Sequence, residues 1–118
     1  MRRAPWGWQM IVNIDGANDN VKNEEALRKF SRDLCDNIEM VRHGEPTLTY
    51  FDDLDDKNGW TLVQLIKTSS LVVHFCDNGK IFLDLFSCKQ FNEEAVLGCI
   101  QYYFSPRTVE YDIIERDV

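Results

Sequence analysis

The chain has 118 residues, of which 44% are hydrophobic and 12% aromatic, and its formal net charge at pH 7 is −7. This length and composition predict a single folded domain over residues 1–118, and they exclude a disordered chain or a two-domain protein. The acidic balance argues against a nucleic-acid partner, because binding a phosphate backbone requires clustered Lys and Arg side chains.

The first half of the chain predicts a strand, a helix and a second strand. The first strand covers residues 8–14, where apolar and β-favouring residues run up to a polar turn. Asn23 is suited to cap the helix, because its side chain can accept a backbone N–H from the first turn. The apolar face of this helix recurs at helical spacing and comprises Leu27, Phe30, Leu34 and Ile38. A short strand follows at residues 47–51.

The second half predicts three consecutive strands, a second helix and a last strand. The Asn78-Gly79 pair is a strong signal for the turn of a β-hairpin. Asn92 is suited to cap the helix. The apolar stripe of that helix comprises Val96, Leu97, Ile100, Tyr103 and Phe104. The strands are expected at residues 60–66, 71–75, 80–86 and 109–114.

The order β-α-β-β-β-β-α-β predicts an α+β fold. Its expected architecture is a two-layer sandwich, in which a mainly antiparallel sheet carries both helices on one face. The strands at residues 60–66 and 71–75 are apolar on both faces, which indicates central positions in the sheet. The second face of the sheet needs cover, so we expect a homodimer or another sheet packed against it.

The sequence predicts a cytoplasmic protein with no membrane partner. No segment reaches the apolar length of a membrane span, and no signal-like apolar core follows Met1-Arg2-Arg3. The cysteines show neither a C-x-x-C pair nor a zinc-type spacing, so we expect free thiols and no metal site. These cysteines are Cys35, Cys76, Cys88 and Cys99.

Three reactive side chains fall on or next to consecutive predicted strands. Ser69 precedes an apolar strand, His74 follows five residues later, and Cys88 comes at the end of the next strand. Each has an ordinary structural explanation when taken alone, as a turn serine, a core histidine or a packed thiol. A polar trio among apolar strands is costly to bury unless its members partner one another or a ligand. The sequence therefore predicts that the three converge on one pocket.

The same residues carry a resemblance to a known family. Ser69, His74 and the segment Asp84-Leu85-Phe86-Ser87-Cys88 match the S-adenosylmethionine decarboxylases, in which the last segment reads Asp-x-Phe-[Ser/Thr]-Cys. The chain looks like the short prokaryotic and bacteriophage forms of this family. Supporting matches lie at residues 6–8, 44–46, 59–65 and 114–116, so the resemblance covers nearly the whole chain.

The resemblance implies a self-processing enzyme whose cofactor is a pyruvoyl group made from its own Ser69, with no metal and no pyridoxal phosphate. Ser69 would attack the carbonyl of Thr68, with His74 as base or proton donor and Thr61 as an auxiliary hydroxyl. After cleavage between residues 68 and 69, the pyruvoyl group would bind S-adenosylmethionine as a Schiff base, and Cys88 would return a proton after decarboxylation. The product is the aminopropyl donor of spermidine and other polyamines, and the enzyme would be a homodimer of processed two-chain protomers.

Departures from the family pattern leave two alternatives open. Thr68 and Ser70 replace the common Glu and His, and the Trp-Pro-Glu segment after His74 is absent. That segment lines the nucleoside pocket of the longer bacterial enzymes, so the same chemistry on arginine or ornithine is one alternative. An unprocessed, non-catalytic homologue that binds a ligand or regulates a partner is the other. Phe51 could still stack on an adenine ring. Of the two adjacent serines, only Ser69 keeps the five-residue step to the histidine.

Overall fold

The computed structural model describes residues 4–118, and in this range the chain forms six β-strands and two α-helices. Two short 3-10 turns precede α1 and β3. The order of strands and helices is the predicted one, and the strand ends differ from the predicted ones by at most two residues. The elements are β1 Gly7–Asp15, α1 Glu24–Asn37, β2 Thr47–Phe51, β3 Gly59–Ile66, β4 Ser69–Cys76, β5 Ile81–Ser87, α2 Glu93–Phe104 and β6 Thr108–Arg116.

The strands form one antiparallel sheet in the order β2-β3-β4-β5-β1-β6. Alternate residues of the inner strands are completely buried, as in β4, where Leu71, Val73 and Phe75 are at most 1% exposed. We call the face that carries these residues the inner face, because the two helices cover it. The predicted α+β sandwich with both helices on one side of the sheet is confirmed.

Both predicted caps form, and they fix where the helices begin. The Asn23 side chain accepts the Ala26 N–H at 3.2 Å, and the Asn92 side chain accepts the Glu94 N–H at 2.9 Å. Phe30 of α1 packs edge-to-face on other core rings, which joins the helix layer to the sheet. Neither helix in the described part of the chain is long and apolar enough to cross a lipid bilayer.

The opposite face of the sheet, called the outer face here, is covered by neither helix of the described residues 4–118. β3 and β4 lie inside the sheet as predicted, but their outer side chains face solvent together with those of the neighbouring strands. Large apolar side chains on the outer face are 38–56% exposed. They are Phe51, Leu65, Phe82 and Ile114. Several large apolar side chains exposed on one sheet face are typical of an interaction surface.

Candidate functional site

A tight turn connects β3 to β4 and sets up the site. Ile66 pairs with Ser69, so only Lys67 and Thr68 form the turn. Thr68 has a φ of 57°, in the left-handed region that β-branched residues rarely adopt. Holding such a residue there costs on the order of 1–3 kcal/mol, and strain of this kind clusters at functional sites. The peptide bond between Thr68 and Ser69 therefore lies in a strained turn.

The turn brings three side chains together, and we call Thr68, Ser69 and Cys88 the Ser69 cluster. The half-buried Ser69 Oγ accepts the backbone N–H of Cys88 at 3.1 Å. Thr68 Oγ1 lies 2.8 Å from Cys88 Sγ and 2.6 Å from the carbonyl oxygen of Lys67, to which it donates. The structure thus places the predicted nucleophile and the predicted thiol side by side.

The thiol of this cluster differs electrostatically from the other three cysteines. The hydroxyl of Thr68, followed by that of Ser69, lowers the pKa of Cys88 below its usual value. Burial has the opposite effect elsewhere, because it raises the pKa of Cys35 to about 11 and that of Cys99 to about 12. Burial also raises the pKa of Cys76. Of the four cysteines, Cys88 is therefore the one whose surroundings favour the thiolate.

Ser87 fixes the backbone on both sides of Cys88. Its hydroxyl, completely buried, donates to the carbonyl oxygen of Lys89 at 2.5 Å and accepts the Lys89 N–H at 3.1 Å. This closed turn directs the N–H of Cys88 at Ser69 Oγ. The sequence reasoning passed over Ser87, although a hydroxyl residue directly before the thiol was the available signal.

Replacing Ser87 by alanine should destabilise the protein. The change removes both hydrogen bonds of the buried Ser87 hydroxyl to the partly buried turn, so we expect the free energy of unfolding to fall by about 1–3 kcal/mol. Urea denaturation followed by circular dichroism measures the loss. Ser87→Thr retains the hydroxyl and is the matched control. Equal stability of the alanine and threonine variants would contradict the assigned role.

A cavity of about 300 Å³ opens beside the Ser69 cluster. Its apolar wall comes from Met40, Val41 and Ile66, and its charged side chains are Glu39, Lys67 and Lys89. The loop after α1 is held over it, because the Lys67 N–H donates to the Val41 carbonyl at 3.1 Å and Lys89 Nζ donates to the Glu39 carbonyl. This volume is at the lower end of the range for small-molecule sites.

A second pair of predicted site residues lies on the outer face. Thr61 and His74 stand directly opposite each other in the β3–β4 register, with Thr61 Oγ1 3.3 Å from His74 Nδ1. The histidine is exposed, and Phe82 lies next to it on β5. Phe51, 43% exposed, is on the same face of the edge strand β2. These residues form a surface rather than an enclosed pocket.

The prediction that Ser69, His74 and Cys88 converge is wrong for a single chain. Ser69 and His74 are five residues apart on one regular strand, so their side chains point to opposite faces, with their Cα atoms about 16 Å apart. The structure therefore joins Ser69 to Cys88 and Thr68, and it joins His74 to Thr61. The predicted site is therefore divided into two half-sites, the Ser69 cluster and the Thr61–His74 pair.

Comparison with known proteins supplies the context for these half-sites. The sequence model of one family, described as S-adenosylmethionine decarboxylase, matches residues 8–117. The fold is similar to the crystal structure of the adenosylmethionine decarboxylase from Aquifex aeolicus VF5, with a TM-score of 0.80 over 98% of this chain and 94% of that chain. The sequence identity is 15%, so this likeness concerns the fold. The sequence matches no protein of curated function.

Proposed function

Because the chain belongs to the S-adenosylmethionine decarboxylase family, we propose that it is a self-processing decarboxylase of S-adenosylmethionine whose pyruvoyl cofactor forms from Ser69. The product would be the aminopropyl donor for spermidine and other polyamines. The observation that carries the proposal is the Ser69 cluster, in which a hydroxyl nucleophile and a thiol of lowered pKa meet at a strained turn.

The proposed cleavage uses only the chain and water. Ser69 Oγ attacks the carbonyl carbon of Thr68, and the C–N bond of that peptide breaks as an ester forms to Oγ. Loss of the proton on Ser69 Cα then breaks the Cβ–Oγ bond and leaves a dehydroalanine at residue 69. Residues 1–68 are released with a carboxylate on Thr68 that contains the former Oγ. Water hydrolyses the dehydroalanine, ammonia leaves, and the fragment from residue 69 begins with a pyruvoyl group.

The surroundings of residue 69 suit that group. When present, a pyruvoyl group supplies a carbonyl that holds the substrate amine and withdraws the electrons released with carbon dioxide. The cavity beside Ser69 offers room for the amino-acid part of the substrate, and Met40, Val41 and Ile66 form its apolar wall. The thiol of Cys88 is the nearby group that can return a proton to the product.

The proposed enzyme is a homodimer of processed protomers. His74 cannot reach Ser69 of its own chain, and Ser69 lies on the inner side of the sheet. A second copy packed against the outer face could present its own His74 and Thr61 to the Ser69 cluster around the β3–β4 turn, since Ser69 is the first residue of β4 after that turn. Sheets pack face to face about 10 Å apart, which would also bury exposed outer-face side chains such as Leu65 and Phe82. In this arrangement Phe51 would come with the histidine half-site, where it could stack on the adenine ring.

The purified chain tests the proposal directly. Intact-mass measurement should find two fragments, residues 1–68 and a fragment from residue 69 that has lost ammonia. Carbon dioxide release should be fastest from S-adenosylmethionine when it is compared with arginine and ornithine. Cleavage with turnover of arginine or ornithine alone would overturn the substrate assignment. A chain that stays uncut for days would instead favour a non-catalytic regulatory homologue.

A further inference from the structure

Cleavage changes the contacts of Cys88, because Ser69 Oγ is both the attacking atom of the proposed cleavage and a hydrogen-bond acceptor for Cys88. In the uncut chain, Thr68 Oγ1 lies 2.8 Å from Cys88 Sγ, and Ser69 Oγ accepts the Cys88 N–H at 3.1 Å. In the cleavage proposed above, Ser69 Oγ becomes one oxygen of the new Thr68 carboxylate. A negative charge is therefore created on an atom that already contacts Cys88.

We propose that this carboxylate stays beside Cys88 and keeps its thiol protonated, so that self-cleavage itself converts Cys88 into the proton donor of the decarboxylation. This inference rests on the proposed function. Thr68 is then a positioning residue, which acts through its hydroxyl before cleavage and through its carboxylate afterwards. The hydroxyl distinguishes Thr68 from the Glu that is common at the same position in the family, whereas the carboxylate would form with either residue.

Simple electrostatics gives the direction of the change. In the uncut chain, the hydroxyls of Thr68 and Ser69 lower the pKa of Cys88 and so favour the thiolate, which has no proton to give. A carboxylate within about 4–6 Å repels a thiolate and favours the thiol. Cleavage also removes the hydroxyl of Ser69, so both changes act in the same direction. Only the thiol form can give a proton to the product.

The charged groups around the cluster are compatible with this switch. Lys67, in the turn, and Lys89, directly after Cys88, could both hold the new carboxylate in place. Each lysine also favours the thiolate, but this contribution is present before and after cleavage. Glu39, from the loop after α1, lines the same cavity and favours the thiol in both states. The charge that changes is the one on Thr68.

The pH dependence of Cys88 alkylation tests the switch. The rate of reaction with iodoacetamide is measured at Cys88 by peptide mass spectrometry, in the cleaved wild-type protein and in two uncut references, Ser69→Ala and His74→Ala. We expect the cleaved protein to react about tenfold more slowly near pH 7.5 than either reference, since one pKa unit is a tenfold change in thiolate. Two references are needed because each lacks a different group of the site.

Cys76 is the internal control, since it lies at the far end of β4 and should react alike in all samples. An unchanged Cys88 profile in cleaved protein would overturn the switch alone. A wild-type chain that never cleaves would overturn the switch together with the proposed function.

A second set of variants tests whether the Thr68 hydroxyl acts on the Cys88 thiol before cleavage. In the His74→Ala background, Thr68→Val removes the hydroxyl beside Cys88 Sγ, which lowers the pKa of the thiol, and keeps a β-branched side chain, so Cys88 should react several-fold more slowly near pH 7.5. Thr68→Ser retains the hydroxyl and should react like the parent. Equal rates for valine and threonine would show that the Thr68 hydroxyl does not act on the thiol.

Discussion

Replacing Ser69 by alanine should leave the protein as one uncut chain of 13.8 kDa, under conditions in which the wild type separates into two fragments. Ser69 is the first residue of β4 and directly follows the strained Thr68. Its Oγ contacts Cys88. Alanine removes the attacking atom, so the N-to-O shift has no substitute nucleophile. Intact-mass measurement over several days gives the result.

Ser70→Ala is the matched control for this experiment. Ser70 neighbours Ser69 in sequence, but it lies on the outer face, where it pairs with Leu65 and Phe86. Its hydroxyl points away from the Ser69 cluster, so the Ser70→Ala chain should be cut between residues 68 and 69 as the wild type is. Cleavage of Ser69→Ala, or loss of cleavage in Ser70→Ala, would contradict the assignment of the nucleophile.

Stability has to be checked beside cleavage. Ser69→Ala leaves the Cys88 N–H without its acceptor, which should lower the free energy of unfolding by about 1 kcal/mol. A loss of this size does not unfold a domain of ordinary stability. Thermal unfolding followed by circular dichroism would therefore separate an uncut folded chain from a misfolded one.

Sequence patterns predicted the fold well because local signals and burial agree in it. The Asn23 and Asn92 caps, the Asn78-Gly79 turn and the apolar run of β4 each specify structure within a few residues. Strand ends were less well predicted, as for β6, which extends to Arg116 because it pairs with β1 along its whole length.

The site was predicted only in part, for a geometric reason. Ser69 and His74 were chosen for their chemistry and spacing, but an odd spacing on a regular strand separates two side chains onto opposite faces. Nor could spacing show that Thr68 contacts the thiol, because this depends on the left-handed turn. Ser87 was missed because its partner is a backbone group two residues away, which leaves no pattern of side chains.

Two variants that are each defective in self-cleavage should restore cleavage of one chain when they form a mixed dimer. His74→Ala retains the Ser69 cluster, and Ser69→Ala retains the Thr61–His74 pair. Alone, His74→Ala should cleave at least about 100-fold more slowly than the wild type, the usual contribution of a general acid or base. In a mixed dimer, the Ser69→Ala chain can supply the histidine that the intact Ser69 cluster of its partner lacks. We expect the His74→Ala chain to be cut and the Ser69→Ala chain to stay whole.

The measurement uses two purification tags of different mass, co-expression, and selection for dimers that carry both tags. Mass spectrometry then shows which chain is cut. A pairing with the opposite expectation is the decisive control, namely wild type with a chain that carries both Ser69→Ala and His74→Ala. If the half-sites are completed across the interface, the wild-type chain in this dimer lacks a partner histidine and should stay whole. If each chain cleaves by itself, the wild-type chain is cut here and no rescue occurs in the first pairing. Because His74 lies about 16 Å along β4 from Ser69 and on the other face, the geometry favours the first result.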